Sequence, residues 1–157
     1  MLGWLRERVT RRGVLAVLAL LVLAFGIMQL VPYRVSNPKV IEEPPWDSAR
    51  TRQLARPACF DCHSNETETL WFEDIAPVSW WITGHVDEGR AALNFSECNK
   101  RGGESDDAVE TVRNGSMPPD YYTWFGLHPD ADLTKAERRQ LADGLRVTLR
   151  GASCGGD

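Results

Sequence analysis

The 157-residue sequence predicts a small, loop-rich, all-α domain behind a single apolar N-terminal helix. Three observations predict it. Residues Val14–Val31 read VLAVLALLVLAFGIMQLV, with Gln29 the only strongly polar side chain. Farther along, apolar side chains recur at helical spacing in segments bounded by caps and breakers. No segment shows the two-residue alternation of a half-buried strand. The length leaves room for one modest domain.

The apolar run comes first. Eighteen helical residues rise about 27 Å, close to the hydrocarbon thickness of a bilayer. Arg6, Arg8, Arg11 and Arg12 precede it. The run is therefore either a cleaved signal peptide or an uncleaved anchor. Its length, and the lack of a clean A-x-A site before Pro32, favour a transmembrane anchor over residues 13–31. The arginine bias predicts a cytoplasmic segment 1–12 and a domain on the outer side of the cytoplasmic membrane, in the periplasm or its equivalent. Residues 32–46, with four prolines, read as a linker or a strap lying on the domain.

The domain proper is expected over 47–157. Asp47 is a candidate N-cap for a helix that Pro57 stops near Arg56. Pro77 opens a second helix reaching about Leu93, with Val78, Trp81, Ile82, Val86 and Leu93 along one stripe. Ser105, Asp106 and Asp107 mark a third start, and Asn114-Gly115 its end. Thr134 and Glu137 form a capping box for a last helix that buries Leu141, Leu145 and Leu149 and stops at Gly151. From Pro32 onward the chain has 14 basic and 21 acidic side chains, a net charge of −7. That sign argues against a nucleic-acid partner and suits docking onto a basic surface.

The chemistry is concentrated in residues 59–63, Cys-Phe-Asp-Cys-His. Two cysteines separated by two residues can add across the two vinyl groups of one porphyrin. The following histidine is then delivered to the iron. The pattern therefore predicts one covalent haem c, with thioethers at Cys59 and Cys62 and His63 as proximal ligand, in a small cytochrome-c-like helical domain. A thioredoxin-like motif would want a βαβ context, and a zinc site a second ligand pair at knuckle spacing; neither is present. A plain disulfide would leave His63 unexplained.

Met117 is the first candidate for the distal iron position. It is the only methionine outside the N-terminal region, and Pro118 and Pro119 stiffen the loop that would hold its thioether. His85, in the apolar stripe of the second helix, is the alternative distal ligand. His128 reads as a loop residue able to meet a haem propionate. Trp71, Phe72, Trp80, Trp81, Tyr121, Tyr122, Trp124 and Phe125 flank these positions as candidate crevice walls. Cys98 and Cys154 are left as a candidate disulfide.

Taken together, these residues resemble a family of small exported bacterial haem-binding domains with one Cys-x-x-Cys-His motif. The similarity runs from about Glu43 to Leu149. It rests on Cys59-Phe60-Asp61-Cys62-His63-Ser64-Asn65-Glu66-Thr67, on Ala76-Pro77-Val78-Ser79-Trp80 and on Val86-Asp87-Glu88-Gly89-Arg90. It continues through Leu93-Asn94-Phe95-Ser96-Glu97, Met117-Pro118-Pro119 and Leu127-His128-Pro129. The resemblance implies haem c binding and an export anchor. Family members usually have tryptophan where this chain has Cys98, so a bridge to Cys154 would be local to this chain.

The function expected from these readings is single-electron transfer, because an iron ligated by both His63 and Met117 has no open position. Expected partners are the membrane, through the N-terminal helix, and redox proteins or a respiratory or photosynthetic complex. The alternative is a haem enzyme or gas-sensing domain with an open distal site.

Overall fold

The computed structural model describes residues 11–98, 105–150, 152 and 154. Among them run five α-helices: α1 (Arg11–Met28), α2 (Ala49–His63), α3 (Val78–Ala92), α4 (Ser105–Asn114) and α5 (Lys135–Arg150). Two 3₁₀ segments, Asp120–Gly126 and Pro129–Ala131, join α4 to α5. No strand occurs among the described residues; Glu42 and Glu97 form an isolated bridge.

α1 corrects the expected membrane anchor. Among the described residues no helix is long and apolar enough to cross a membrane. α1 has 18 residues, but its first two are Arg11 and Arg12, and the chain turns after Met28 so that Leu30 and Val31 add nothing to it. Its apolar part falls short of the roughly 20 residues that a span needs. The transmembrane helix expected over residues 13–31 is thus not supported, nor is the single-pass placement and membrane attachment that rested on it. The basic segment 1–12 lies outside the described residues apart from its last two. The structure gives Gln29 a different task. Its amide donates to the Ala76 carbonyl (3.0 Å) and accepts the Ala76 N–H (3.0 Å), tying the end of α1 to the segment entering α3.

The core lies between α2, α4 and α5. α5 begins with the capping box: Glu137 N–H donates to Thr134 Oγ1 (3.2 Å), and Thr134 N–H donates to Glu137 Oε2 (3.1 Å). Its stripe of Leu141, Leu145 and Leu149 is buried with Val109 and Val112 of α4 and with Leu54 and Phe60 of α2. Burying a leucine side chain contributes about 1.5–3 kcal/mol, so this stripe is the main apolar reservoir of a small domain. Gly144 lets α5 approach α2, because a Cβ there would overlap Thr51 Oγ1 and lie 2.7 Å from its Cγ2.

α2 differs from expectation at both ends. Ser48 rather than Asp47 is the N-cap, accepting the Thr51 N–H at 3.1 Å. The helix also runs through Pro57 to His63. An interior proline removes one N–H donor, but buried Ala55, Ala58 and Phe60 hold the turns on either side of it.

Residues after α1 lie on the domain as a strap. The Asn37 side chain donates to the Thr67 carbonyl (2.9 Å) and accepts the Thr67 N–H (3.1 Å). Ile41 and Glu42 N–H groups both donate to the Ser96 carbonyl. A disulfide joins Cys98 to Cys154.

Candidate functional site

The last turns of α2 carry Cys59, Cys62 and His63. On a helix, positions i, i+3 and i+4 share a face, so both thiols and the imidazole are presented together. Phe60 points the other way, into the core, where it packs with Phe95 (5.6 Å between ring centroids) and Trp46 (6.1 Å). The helix ends at His63, where extended Ser64 (φ −149°, ψ 171°) is the C-cap.

Two contacts fix this segment. The His63 carbonyl accepts the Phe95 N–H at 2.8 Å. The His63 ring Nδ1 lies 3.1 Å from the Leu93 carbonyl. A carbonyl can only accept, so Nδ1 is the protonated nitrogen and, in the neutral ring, Nε2 carries the lone pair. Metal-ligating histidines are oriented in this way. Burial lowers the His63 pKa below the ordinary histidine value, against the opposing Leu93 and Gly89 backbone bonds, which favours the neutral ring that a ligand needs.

The two thiols are free of each other. Burial pushes the Cys59 thiol up to about 12 and Cys62 to about 11, with Asp61 and Glu73 adding to the latter. Thiolate is scarce at such values, which argues against disulfide-exchange chemistry. Nor do three Cys, His, Asp or Glu side chains converge as a metal-ion cage anywhere among the described residues.

α3 packs directly behind the motif. A Cβ on Gly89 would overlap the Cys62 carbonyl oxygen and lie 3.0 Å from its carbon, so only glycine allows this approach. One turn earlier on α3, His85 donates through Nδ1 to the Trp81 carbonyl (2.9 Å). Its ring meets Trp81 (4.4 Å) and Tyr121 (5.8 Å), and Tyr121 in turn meets Trp81 (5.1 Å) and Trp124 (6.5 Å). Trp81 and Trp124 remain half exposed or more. This is an aromatic wall without a protein partner on its open side.

Met117 opens the loop that carries Tyr121, and both its backbone groups are held. Its N–H donates to the Thr111 carbonyl (3.0 Å), and its carbonyl accepts from Arg138 Nη1 (2.8 Å). Its thioether side chain is partly exposed. His128 stacks flat on Tyr122, with centroids 3.9 Å apart and planes 7° from parallel.

Four residues with work to do here were not singled out for it by sequence. Arg90 donates to the carbonyls of Ser64 (2.7 Å) and Ser36 (2.8 Å) and to side-chain oxygens of Asn37 and Thr67 (3.0 Å each). It thus locks α3, the strap and the segment after His63 together. Asn65 accepts from Asn94 (3.0 Å) and donates to the Lys39 carbonyl (3.1 Å). The Tyr122 hydroxyl donates to the Asp61 carboxylate, inside the Cys-x-x-Cys spacing. Trp80 keeps a buried indole N–H with no acceptor. Trp80 and Tyr122 carried a sequence signal as members of the aromatic cluster, Asn65 and Arg90 only as positions of the family resemblance.

The residues present fit a haem. A neutral imidazole, two cysteines that form no disulfide, an uncovered aromatic wall and an orphaned buried donor on α3 are what such a group would meet. A separate groove of about 1150 Å³ runs along the opposite side of α2, past Arg52, Arg56, Phe60 and Leu133, and includes none of Cys59, Cys62, His63 or Met117. Its arginines are committed: Arg52 to Glu43 (2.6 Å), Arg56 to Glu66 (3.4 Å) and Arg50 to Glu137 (3.0 Å).

Residues 23–146 match the model of a protein family described as a haem-binding domain. No curated protein and no solved structure matches the chain.

Proposed function

This chain belongs to the haem-binding domain family, and from that membership we propose that it is a monohaem c-type cytochrome that passes single electrons. Cys59 and Cys62 hold the porphyrin through thioethers, His63 is the proximal ligand and Met117 the distal one. A bound haem supplies a one-electron couple whose potential follows its ligands and surroundings.

The single observation that carries this reading is the His63 ring. Its Nδ1 is set on the Leu93 carbonyl (3.1 Å), with the Gly89 backbone also bonding the ring, beside two cysteines that form no disulfide. The chain's own residues then have separable tasks. Leu93 fixes the tautomer of His63. Gly89 lets α3 close behind Cys62. Trp81, Tyr121 and Trp124 keep water from one side of the crevice, and Trp80 offers its indole N–H to an acceptor of the cofactor. Thr111 and Arg138 hold the Met117 backbone so that the thioether does not wander.

The test is a haem stain of the denatured protein, followed by optical spectra and addition of carbon monoxide to the reduced form. Colour that survives denaturation, a weak far-red band in the oxidised protein and slow carbon monoxide binding are the expected results. Prompt carbon monoxide binding would instead favour a haem enzyme or sensor with an open distal site.

A further inference from the structure

The Met117 loop is bound at two places. At its head, Thr111 and Arg138 hold the Met117 backbone from the α4–α5 side. Five residues later, Tyr122 reaches the haem-attachment helix itself. Its hydroxyl donates to the carboxylate of Asp61 and lies 3.4 Å from the Pro57 carbonyl. Asp61 stands between the two cysteines of the motif, and its other carboxylate oxygen accepts the Glu68 N–H at 2.9 Å, so the acceptor is itself fixed. His128 stacks on the Tyr122 ring at 3.9 Å and brings Nδ1 to 3.9 Å from the same carboxylate. Tyr122 is half-buried, and its N–H donates to the Pro119 carbonyl (2.9 Å), which rules out easy rotation of the backbone that carries the ring.

Among the described residues, the Tyr122 hydroxyl makes the side-chain hydrogen bonds that join residues 117–126 to α2. The loop also makes ring contacts with α3 and bonds to α4 and α5, Tyr122 packs at the edge of the core, and the chain beyond it is buried at Ala131. Between the held Met117 backbone and buried Ala131, the middle of the loop is free to shift unless a further bond fixes it. A charge-assisted bond to the motif removes that freedom.

We propose that Tyr122 is a positioning residue for the iron: its hydroxyl, bound to Asp61 within the Cys-x-x-Cys spacing and backed by the stacked His128 ring, clamps the Met117 loop onto the haem-attachment helix and keeps the distal position closed. This rests on the reading of Met117 as distal ligand. The thioether itself is a weak, neutral ligand, so its retention depends on how little the loop can move. Tyr122 touches neither the motif sulfurs nor the imidazole and acts only through the loop.

The experiment uses the holoprotein with three substitutions. In Tyr122→Phe, which keeps the ring and its stacking on His128, haem staining after denaturation is unchanged. The far-red band of the oxidised form weakens to less than half, and carbon monoxide binds the reduced form at least about 10-fold faster. Asp61→Asn, which removes the charge and leaves one oxygen for both the Tyr122 hydroxyl and the Glu68 N–H, weakens the band in the same direction as Tyr122→Phe. Leu149→Ala, a core truncation remote from the loop, lowers thermal stability without changing the band, so general loosening is separated from loss of the clamp. A Tyr122→Phe protein with the wild-type band and carbon monoxide rate would overturn the proposal, as would Leu149→Ala reproducing the Tyr122→Phe spectrum. A wild-type protein that already lacks the band would remove Met117 from the iron, and that failure is visible before any substitution is made.

Discussion

The two sides of α2 are built differently. Toward α4 and α5 the helix presents Leu54, Ala55 and Phe60, all buried against apolar side chains and needing no other group. Toward α3 it presents Cys62 and His63, half-buried, beside aromatic rings that stay open on one side, while Cys59 sits between the two sides and packs on the edge of the core. The first side is an apolar core edged by the groove that Leu54, Phe60 and Leu133 line. The second is held mainly by hydrogen bonds from Arg90 and Asn65 and by the Leu93 carbonyl, which accepts from the His63 ring, and leaves a buried indole N–H without an acceptor. A domain of this size cannot afford so much unfilled surface unless another group completes it, and the family assigns that group as haem.

If the two sides are separable in this way, damage to one should leave a distinct mark. The largest effect belongs to the double variant Cys59→Ser/Cys62→Ser. Haem stain on a denaturing gel is expected to vanish, while far-ultraviolet circular dichroism keeps the helical signal of the α2–α4–α5 side. On the other side, Leu145→Ala empties a fully buried position. It should cost about 2–5 kcal/mol in denaturant unfolding and leave the visible spectrum of the folded protein unchanged. Gly89→Ala sits on the seam, where a side chain would collide with the Cys62 carbonyl. A loss of about 1–3 kcal/mol is expected, together with a lower yield of haem-loaded protein measured as absorbance per polypeptide.

Smaller effects come from the periphery. Thr134→Ala removes half of the capping box on α5 and should lower stability by about 1 kcal/mol without touching the spectrum. The smallest is a pH effect. The hydrogen bond from Arg52 holds the Glu43 carboxyl below its ordinary value of 4.5, aided by Trp46. A depressed folded pKa means the contribution is fully present above about 4.5 and is lost as pH falls through the folded value. Glu43→Gln should therefore show a shallower fall in melting temperature between pH 6 and pH 3 than the parent. An equally steep fall would assign the acid sensitivity elsewhere.

Much of this was legible in the sequence because it is local. The Cys-x-x-Cys-His spacing needs only one helix to present its three side chains together, the Thr134–Glu137 box spans one turn, and Pro77 and Asn114-Gly115 bracket α3 and α4 by backbone preference alone. Three local signals misled, the first being Asp47, beside which Ser48 is the true N-cap of α2. Pro57 reads as a stop, yet α2 continues because the side chains around it are buried. The apolar run Val14–Val31 reads as a membrane span because hydropathy counts residues, whereas the helix stops at Met28 and Gln29 is spent on Ala76.

By itself, then, the sequence determined the helical class, the capping box and leucine stripe of α5 and the motif at 59–63, since each depends on neighbours within a turn or two. Only the tertiary structure decided that His63 donates to Leu93, that Gly89 faces Cys62, that Arg90 locks the strap and that Tyr122 reaches Asp61. Those pairings lie tens of residues apart along the chain. They exist because packing brings the segments together, and buried polar groups must then find partners where the fold has put them.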